Sequence, residues 1–130
     1  MTIQKGKGFT TMKKIEAIER VLDNYAAEKE SGINHLLVKC YRNTQESGNE
    51  ILDIDEIIWE HDYDELVRDL RRFGITEFTI STTFSGVFNA MEALIERGCT
   101  LEGMTRVYER FPSWMGGEHE QKPAMLMKVK

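Results

Sequence analysis

Apolar residues recur along this chain with two different periods, and the switch between them sets the expected architecture. Ile15, Ile18, Leu22 and Tyr25 form one stripe at helical spacing, with Thr10 or Thr11 as cap and Gly32 as stop. Ile33, Leu36, Leu37, Cys40 and Tyr41 follow at i, i+3, i+4, i+7 and i+8, which fits a second helix and not an alternating strand. That helix fades through NTQESG, where Gly48 and Asn49 mark a turn. Asp53 and Asp55 can each cap a short helical turn carrying Ile54, Ile57, Ile58 and Trp59. Asp62, with Glu65 three residues on, resembles a capping box, and Tyr63, Leu66, Val67, Leu70 and Phe73 define one buried face before Gly74.

Beyond Gly74 the period changes to two. Residues 75–82 are rich in Thr, Phe and Ile, and read as a strand with Phe78 and Ile80 on one face. Phe84, Val87, Phe88, Met91, Leu94 and Ile95 then form a helical stripe closed by Gly98. A second strand over 100–109 alternates Leu101, Gly103, Thr105 and Val107 with Glu102, Met104, Arg106 and Tyr108, and Gly103 marks a bulge or a close backbone approach. Strand, helix and strand make a βαβ unit, which is right-handed in nearly all known cases. A connection with Pro112, Gly116, Gly117 and Pro123 leads into AMLMKVK, a last strand expected antiparallel to 100–109. The expected fold is α+β: a helical N-terminal half, then the βαβ unit and a C-terminal antiparallel strand in a small mixed three-stranded sheet. Residues 1–11 are expected to be a flexible tail, and 12–130 a single domain.

At 130 residues the chain can bury one real core without disulfides. Cys40 and Cys99 lie far apart with no CxxC or Cys/His ligand spacing, so two reduced, packed thiols in a cytoplasmic protein are expected. The apolar runs are short and interrupted by charge, which leaves no membrane span, and MTIQKGKGFTTMKK lacks the apolar core of a signal peptide. Charge adds one asymmetry. Residues 50–69 hold nine acids against one base, Arg68, and so carry −8 in a chain whose net charge is −5. An acidic chain has no counterion-release drive toward nucleic acid, so direct binding of duplex DNA is not expected.

The segments GNEILDIDEIIWEHDYDELVRDLRRFGITEFTIST, GCTLEGMTRV and WMGGEHEQKPAMLMKVK together resemble a family of small uncharacterised proteins of Firmicutes, often carried on conjugative elements and prophages. The resemblance covers roughly residues 49–130. Its most specific motifs are DEIIW, GITEFTIS, LEGM and the terminal W…G…PA…K pattern. It implies a genetic context and a fold, and it implies no catalytic residues.

Two candidate sites follow from the residues. The strand-to-helix turn Ser81, Thr82, Thr83, Ser85 and Gly86 offers hydroxyls and free N–H groups to an anion, although the same residues also serve to end a strand and start a helix. The acids Asp53, Asp55, Glu56, Asp62, Asp64 and Glu65 could present a carboxylate face to a basic partner, and Trp114 and His119 lie on a long loop suited to a partner anchor. The triplets Glu60-His61-Asp62 and Glu118-His119-Glu120 do not converge on one ion by sequence alone, so no metal is expected. Neither GxxxxGK[ST] nor GxGxxG is present, no nucleophile stands beside a base, and no cofactor is expected. The expected function is non-enzymatic binding of a macromolecular partner by a mobile-element accessory protein. The alternative is a small-molecule or anion binder at the Ser81–Gly86 turn.

Overall fold

A computed structural model describes residues 32–112 and 119–130. The expected first helix, the tail and Trp114 lie outside the described residues. Helix α1 (His35–Ser47) opens with Asn34, whose Oδ1 accepts from Leu37 N, and closes at Gly48 in the left-handed conformation. Strand β1 (Asp53–Ile54) follows, then a 3₁₀ turn (Glu60–Asp62), helix α2 (Tyr63–Arg72), strand β2 (Glu77–Ile80), helix α3 (Val87–Glu96), and the long strands β3 (Cys99–Pro112) and β4 (His119–Val129).

The sheet has four strands in the order β1-β2-β4-β3, not three. The added strand is Asp53–Ile54, where the sequence suggested a helical turn. It pairs in parallel with β2, Asp53 opposite Thr79 and Ile54 opposite Ile80. Two residues are too few to show alternation, and Ile54, Ile57 and Ile58 happen to match a helical spacing as well. The stretch 50–59 is correspondingly less helical than expected. β4 is antiparallel to β3, as expected, and also to β2. It therefore lies between β2 and β3, and the βαβ unit is split: its two strands are parallel but not neighbours.

A bulge separates Leu101 from Gly103, whose φ of 144° only glycine adopts readily. Pro123 sits in β4 opposite Arg106, yet costs no ladder bond. The backbone N–H and C=O of Tyr108 are both taken by the Asn49 side chain (2.9 and 3.0 Å), so Tyr108, and with it Arg106 two residues back, turns its backbone polar groups away from β4. Pro123 thus faces β2, which ends at Ile80 before reaching it.

One core joins sheet and helices, with Tyr41, Leu37, Leu52, Ile54, Leu66, Leu70, Phe78, Ile80, Leu94 and Met127 essentially inaccessible. α1 packs along β1 and β3, α2 touches α1, α3 and β4, and α3 packs on β3. α3 is rotated from its expected stripe. It buries Ala90, Met91, Ala93 and Leu94 and leaves Phe88 and Ile95 in solvent. The small alanines let the helix sit close to its neighbours, and that contact outweighs the larger residues in setting the face. Among the described residues no helix is long and apolar enough to cross a membrane.

Candidate functional site

Most of the acidic run holds the fold together. Asp53 is buried on β1 and accepts from Thr79 Oγ1 (2.7 Å) and Ser81 Oγ (2.6 Å). Burial pushes its carboxyl above the ordinary value of 3.8, and the two hydroxyls offset part of that rise. Asp62 is buried too. Its Oδ2 accepts from Trp59 N (3.0 Å) and its Oδ1 from Asn34 Nδ2 (3.1 Å). This aspartate caps the 3₁₀ turn behind it, where the sequence suggested a reciprocal box with Glu65; Glu65 instead accepts from Asn34 Nδ2 (3.0 Å). Asp55 accepts from Asn43 (3.0 Å), Glu56 pairs with Lys39 (3.5 Å) and Asp64 with Arg97 (2.6 Å). Neutralising the run as a block would therefore unpick structure before it touched any surface.

The strand-to-helix turn divides in the same way. Ser81 turns inward to Asp53, and Thr82 N donates to Ile54 O (3.3 Å), so these two finish the parallel β1–β2 pair. Thr83 is exposed and caps nothing; Gly86 stands at the helix N-terminus without a side-chain cap. Of the set, Ser85 and Gly86 line a groove. His119 is the first residue of β4 and pairs with Pro112 of β3.

The residues that sequence reasoning passed over are Ile57 and Trp59. Both lie in the acidic segment and both are exposed, Trp59 at 58%. They form a ridge between two grooves. One, of about 210 Å³, runs between Trp59, Ile57 and the α1 residues His35 and Lys39. The other, of about 260 Å³, is bounded by Trp59, Tyr63, Phe84, Ser85, Gly86 and Asn89. The second groove joins the two sequence-derived candidates, since Ser85 and Gly86 come from the turn and Trp59 from the acidic run. The sequence places Ile54, Ile57 and Ile58 together on one short helical turn; in the structure Ile54, on the short strand, and Ile58 are buried while Ile57 is exposed.

Reaction chemistry has little to work with. Burial raises both thiols, Cys40 with added repulsion from Asp55 and Cys99 against a lowering contribution from Arg71, so neither is a ready thiolate. The Ser81 hydroxyl is committed to a carboxylate with no imidazole behind it. Among the described residues no three His, Cys, Asp or Glu side chains gather to hold a metal ion. A larger concavity of about 520 Å³ lies between residues 48–51, Thr79 and residues 105–108 of β3, where the Asn49 clamp spans from the turn to β3.

The Asp53 carboxyl gives a pH-dependent prediction. A folded-state pKa above the unfolded one means the native state holds the proton more tightly, so stability falls as pH rises through that interval. Asp53→Asn should remove this loss, because the amide can accept from one hydroxyl and donate to the other. The melting temperature of the variant relative to wild type should climb as pH rises above about 4, the ordinary aspartate range. A difference that stays constant with pH would refute the shift.

Comparison with curated proteins returned no match, and comparison with solved structures returned none. A family model, that of a domain of unknown function (DUF7698), matches residues 36–129. That span takes in every element from α1 to β4, and the chain belongs to this DUF7698 family.

Proposed function

We propose that this protein is a non-enzymatic binding module whose contact with a protein partner centres on Ile57 and Trp59. The observation that carries the reading is the exposed Ile57–Trp59 ridge, held rigidly by the Asp62 cap at Trp59 N and flanked by a groove on each side. Binding energy concentrates in such aromatic anchors, with charged residues at the rim setting specificity and association rate. Here the groove walls carry the acids Glu56 and Glu60 against one base, Lys39, so a partner surface that is basic around an apolar centre fits best. Duplex DNA offers neither feature. The family resemblance adds the setting: a cytoplasmic accessory protein of a mobile element, with two free buried cysteines in keeping with a reducing compartment.

The test is affinity capture from the native host with wild-type protein and with Trp59→Ala. Removal of a central anchor costs about 2 kcal/mol or more, or roughly 30-fold in affinity. A specific protein should be retained by wild type and lost from the variant, with Glu60→Gln weakening capture only at low salt. Equal retention by wild type and Trp59→Ala would reject the ridge as the contact. The anion-binding alternative keeps only Ser85 and Gly86 of its original set at an open groove, and a phosphate or nucleotide thermal-shift screen decides it.

A further inference from the structure

We propose that the groove bounded by Trp59, Tyr63 and Phe84 receives an arginine side chain of the partner protein, its guanidinium stacked on the Trp59 indole and paired with Glu60. The inference rests on the reading of Ile57 and Trp59 as a partner contact, and adds to it the residue that the partner contributes. At about 260 Å³ the groove lies below the roughly 300–1,000 Å³ of small-molecule pockets, and it suits one long side chain. Three aromatic residues line it, and Glu60 is the one charged residue among the described ones on its walls.

Two arginines among the described residues already lie over aromatic rings. Arg97 Cζ stands 5.4 Å from the centre of the Tyr63 ring while its Nε donates to Asp64 (2.6 Å). Arg72 Cζ stands 4.9 Å from the centre of the Phe73 ring while its Nη1 reaches Asp69 (3.6 Å). In each case one guanidinium meets an aromatic ring and a carboxylate together. Trp59 and Glu60 offer the same combination and lack the cation: among the described residues nothing lies over the indole and nothing pairs with Glu60. Indole is the strongest π face of the aromatic side chains, and this one is exposed. Trp59 N donates to Asp62 Oδ2 (3.0 Å) and Trp59 O accepts from Asp62 N (2.8 Å), so docking has only the side chain to order.

Two further polar groups select a guanidinium over other cations. Ser85, from the turn after β2, and Asn89, from α3, line the same groove and make no side-chain hydrogen bond among the described residues. They leave a hydroxyl and an amide oxygen as acceptors. A guanidinium carries its five donors in one plane, so it can engage Glu60 with two of them and turn the rest to Ser85 and Asn89 while its flat face stays on the indole. A trimethylated ammonium has no donor, and would leave all three groups without a hydrogen bond. A lysine ammonium is compact and strongly hydrated, and it cannot stack as a plane. The excess of nine acids over one base in residues 50–69 adds a longer-range attraction for such a side chain.

The probe is N-acetyl-arginine methylamide, titrated into the full chain at low salt and followed by amide and indole NMR shifts. It should bind with a dissociation constant of roughly a few millimolar and shift Trp59, Tyr63, Ser85 and Asn89. The lysine, trimethyllysine and citrulline counterparts should each bind about fivefold more weakly or worse. Trp59→Leu, which keeps an apolar side chain and removes the indole, should weaken the arginine probe about fivefold or more, as should Glu60→Gln, whereas Trp59→Tyr should retain most of the binding. His61→Ala, which alters only the other groove, should change nothing. Equal binding of the citrulline counterpart, tighter binding of the trimethyllysine one, or indifference to Trp59→Leu would overturn the proposal. A probe that fails to bind while Trp59→Ala still loses the captured protein rejects the arginine and keeps the ridge. A probe that binds while capture ignores Trp59→Ala rejects the ridge and, with it, the partner's arginine.

Discussion

Asp69→Ala should lower the melting temperature by roughly 10–20 °C, an effect of about 3–4 kcal/mol for a domain of this size. Asp69 lies on the acidic run but is fully inaccessible. Its Oδ2 accepts from the backbone N–H of Asn34 (2.7 Å) and from Arg68 Nη2 (3.1 Å), and its Oδ1 from Arg68 Nε (2.9 Å). Arg68 Nη2 also donates to Gly32 O (2.9 Å), so one carboxylate and one guanidinium dock the start of α1 onto α2. Removal of the carboxylate strands a buried N–H and releases the arginine, and an unpaired buried donor loses its full desolvation cost. Asn34 binds Asp62 and Glu65 as well, so its replacement by Ala should be similarly damaging and markedly non-additive with Asp69→Ala. Glu65→Ala, which removes an exposed acceptor only, should stay within about 0.5 kcal/mol. Chemical denaturation of these four proteins checks the ordering. An Asp69→Ala variant as stable as Glu65→Ala would mean that the acidic run is surface after all.

What the sequence made legible was governed by local rules, and what it concealed was governed by partners far away. The helices α1, α2 and α3 follow from periodicity and from Gly48, Gly74 and Gly98, since helix stops are written within a few residues of where they act. The Gly103 bulge and the antiparallel β3–β4 pair were readable for the same reason. The Asp53–Ile54 strand was not, because among the described residues it pairs with β2, some 26 residues on, and two residues carry no period. The insertion of β4 between β2 and β3 was equally hidden. Sequence adjacency favours β4 beside β3, and nothing local announces that β4's other edge takes β2.

The acidic run shows the same division at the level of a site. Nine acids in twenty residues look like a charged face, and composition alone cannot sort them. Asp53 goes to the hydroxyls of Thr79 on β2 and of Ser81 just after it, Asp62 and Asp69 to Asn34, and Asp64 to Arg97, each choice fixed by a segment distant in sequence. Once those are assigned, the remaining surface signal is apolar: Ile57 and Trp59 left outside by a chain that had the means to bury them. A tryptophan between paired acids is a weak sequence cue by itself. The short strand and the Asp62 cap fix its backbone and leave its side chain exposed.

Gly98→Ala should cost about 3–5 kcal/mol, more than any other glycine substitution in the described chain, through two separable contributions. Gly98 has φ of +102°, a conformation that strains any residue with a Cβ. A Cβ there would also stand 2.5 Å from Arg71 Nη2. Arg71 cannot move away cheaply, because its Nη2 donates to Arg97 O (2.6 Å) and its Nε to Lys130 O (2.8 Å), fastening the ends of α2, α3 and β4 at one point. Lys130 N in turn donates to Gly98 O (3.2 Å). Gly74 is the internal control: its φ is +70° and an added Cβ would meet nothing within 4 Å, so Gly74→Ala should cost only the backbone strain, about 1–2 kcal/mol. Arg71→Ala should remove the clash along with the two carbonyl bonds, so that adding Gly98→Ala to it costs no more than Gly74→Ala does. Equilibrium unfolding of the two single glycine variants and of the Arg71→Ala/Gly98→Ala pair measures both contributions. Equal losses for Gly74→Ala and Gly98→Ala would show that Arg71 yields without cost and that the three chain ends are not fastened through it.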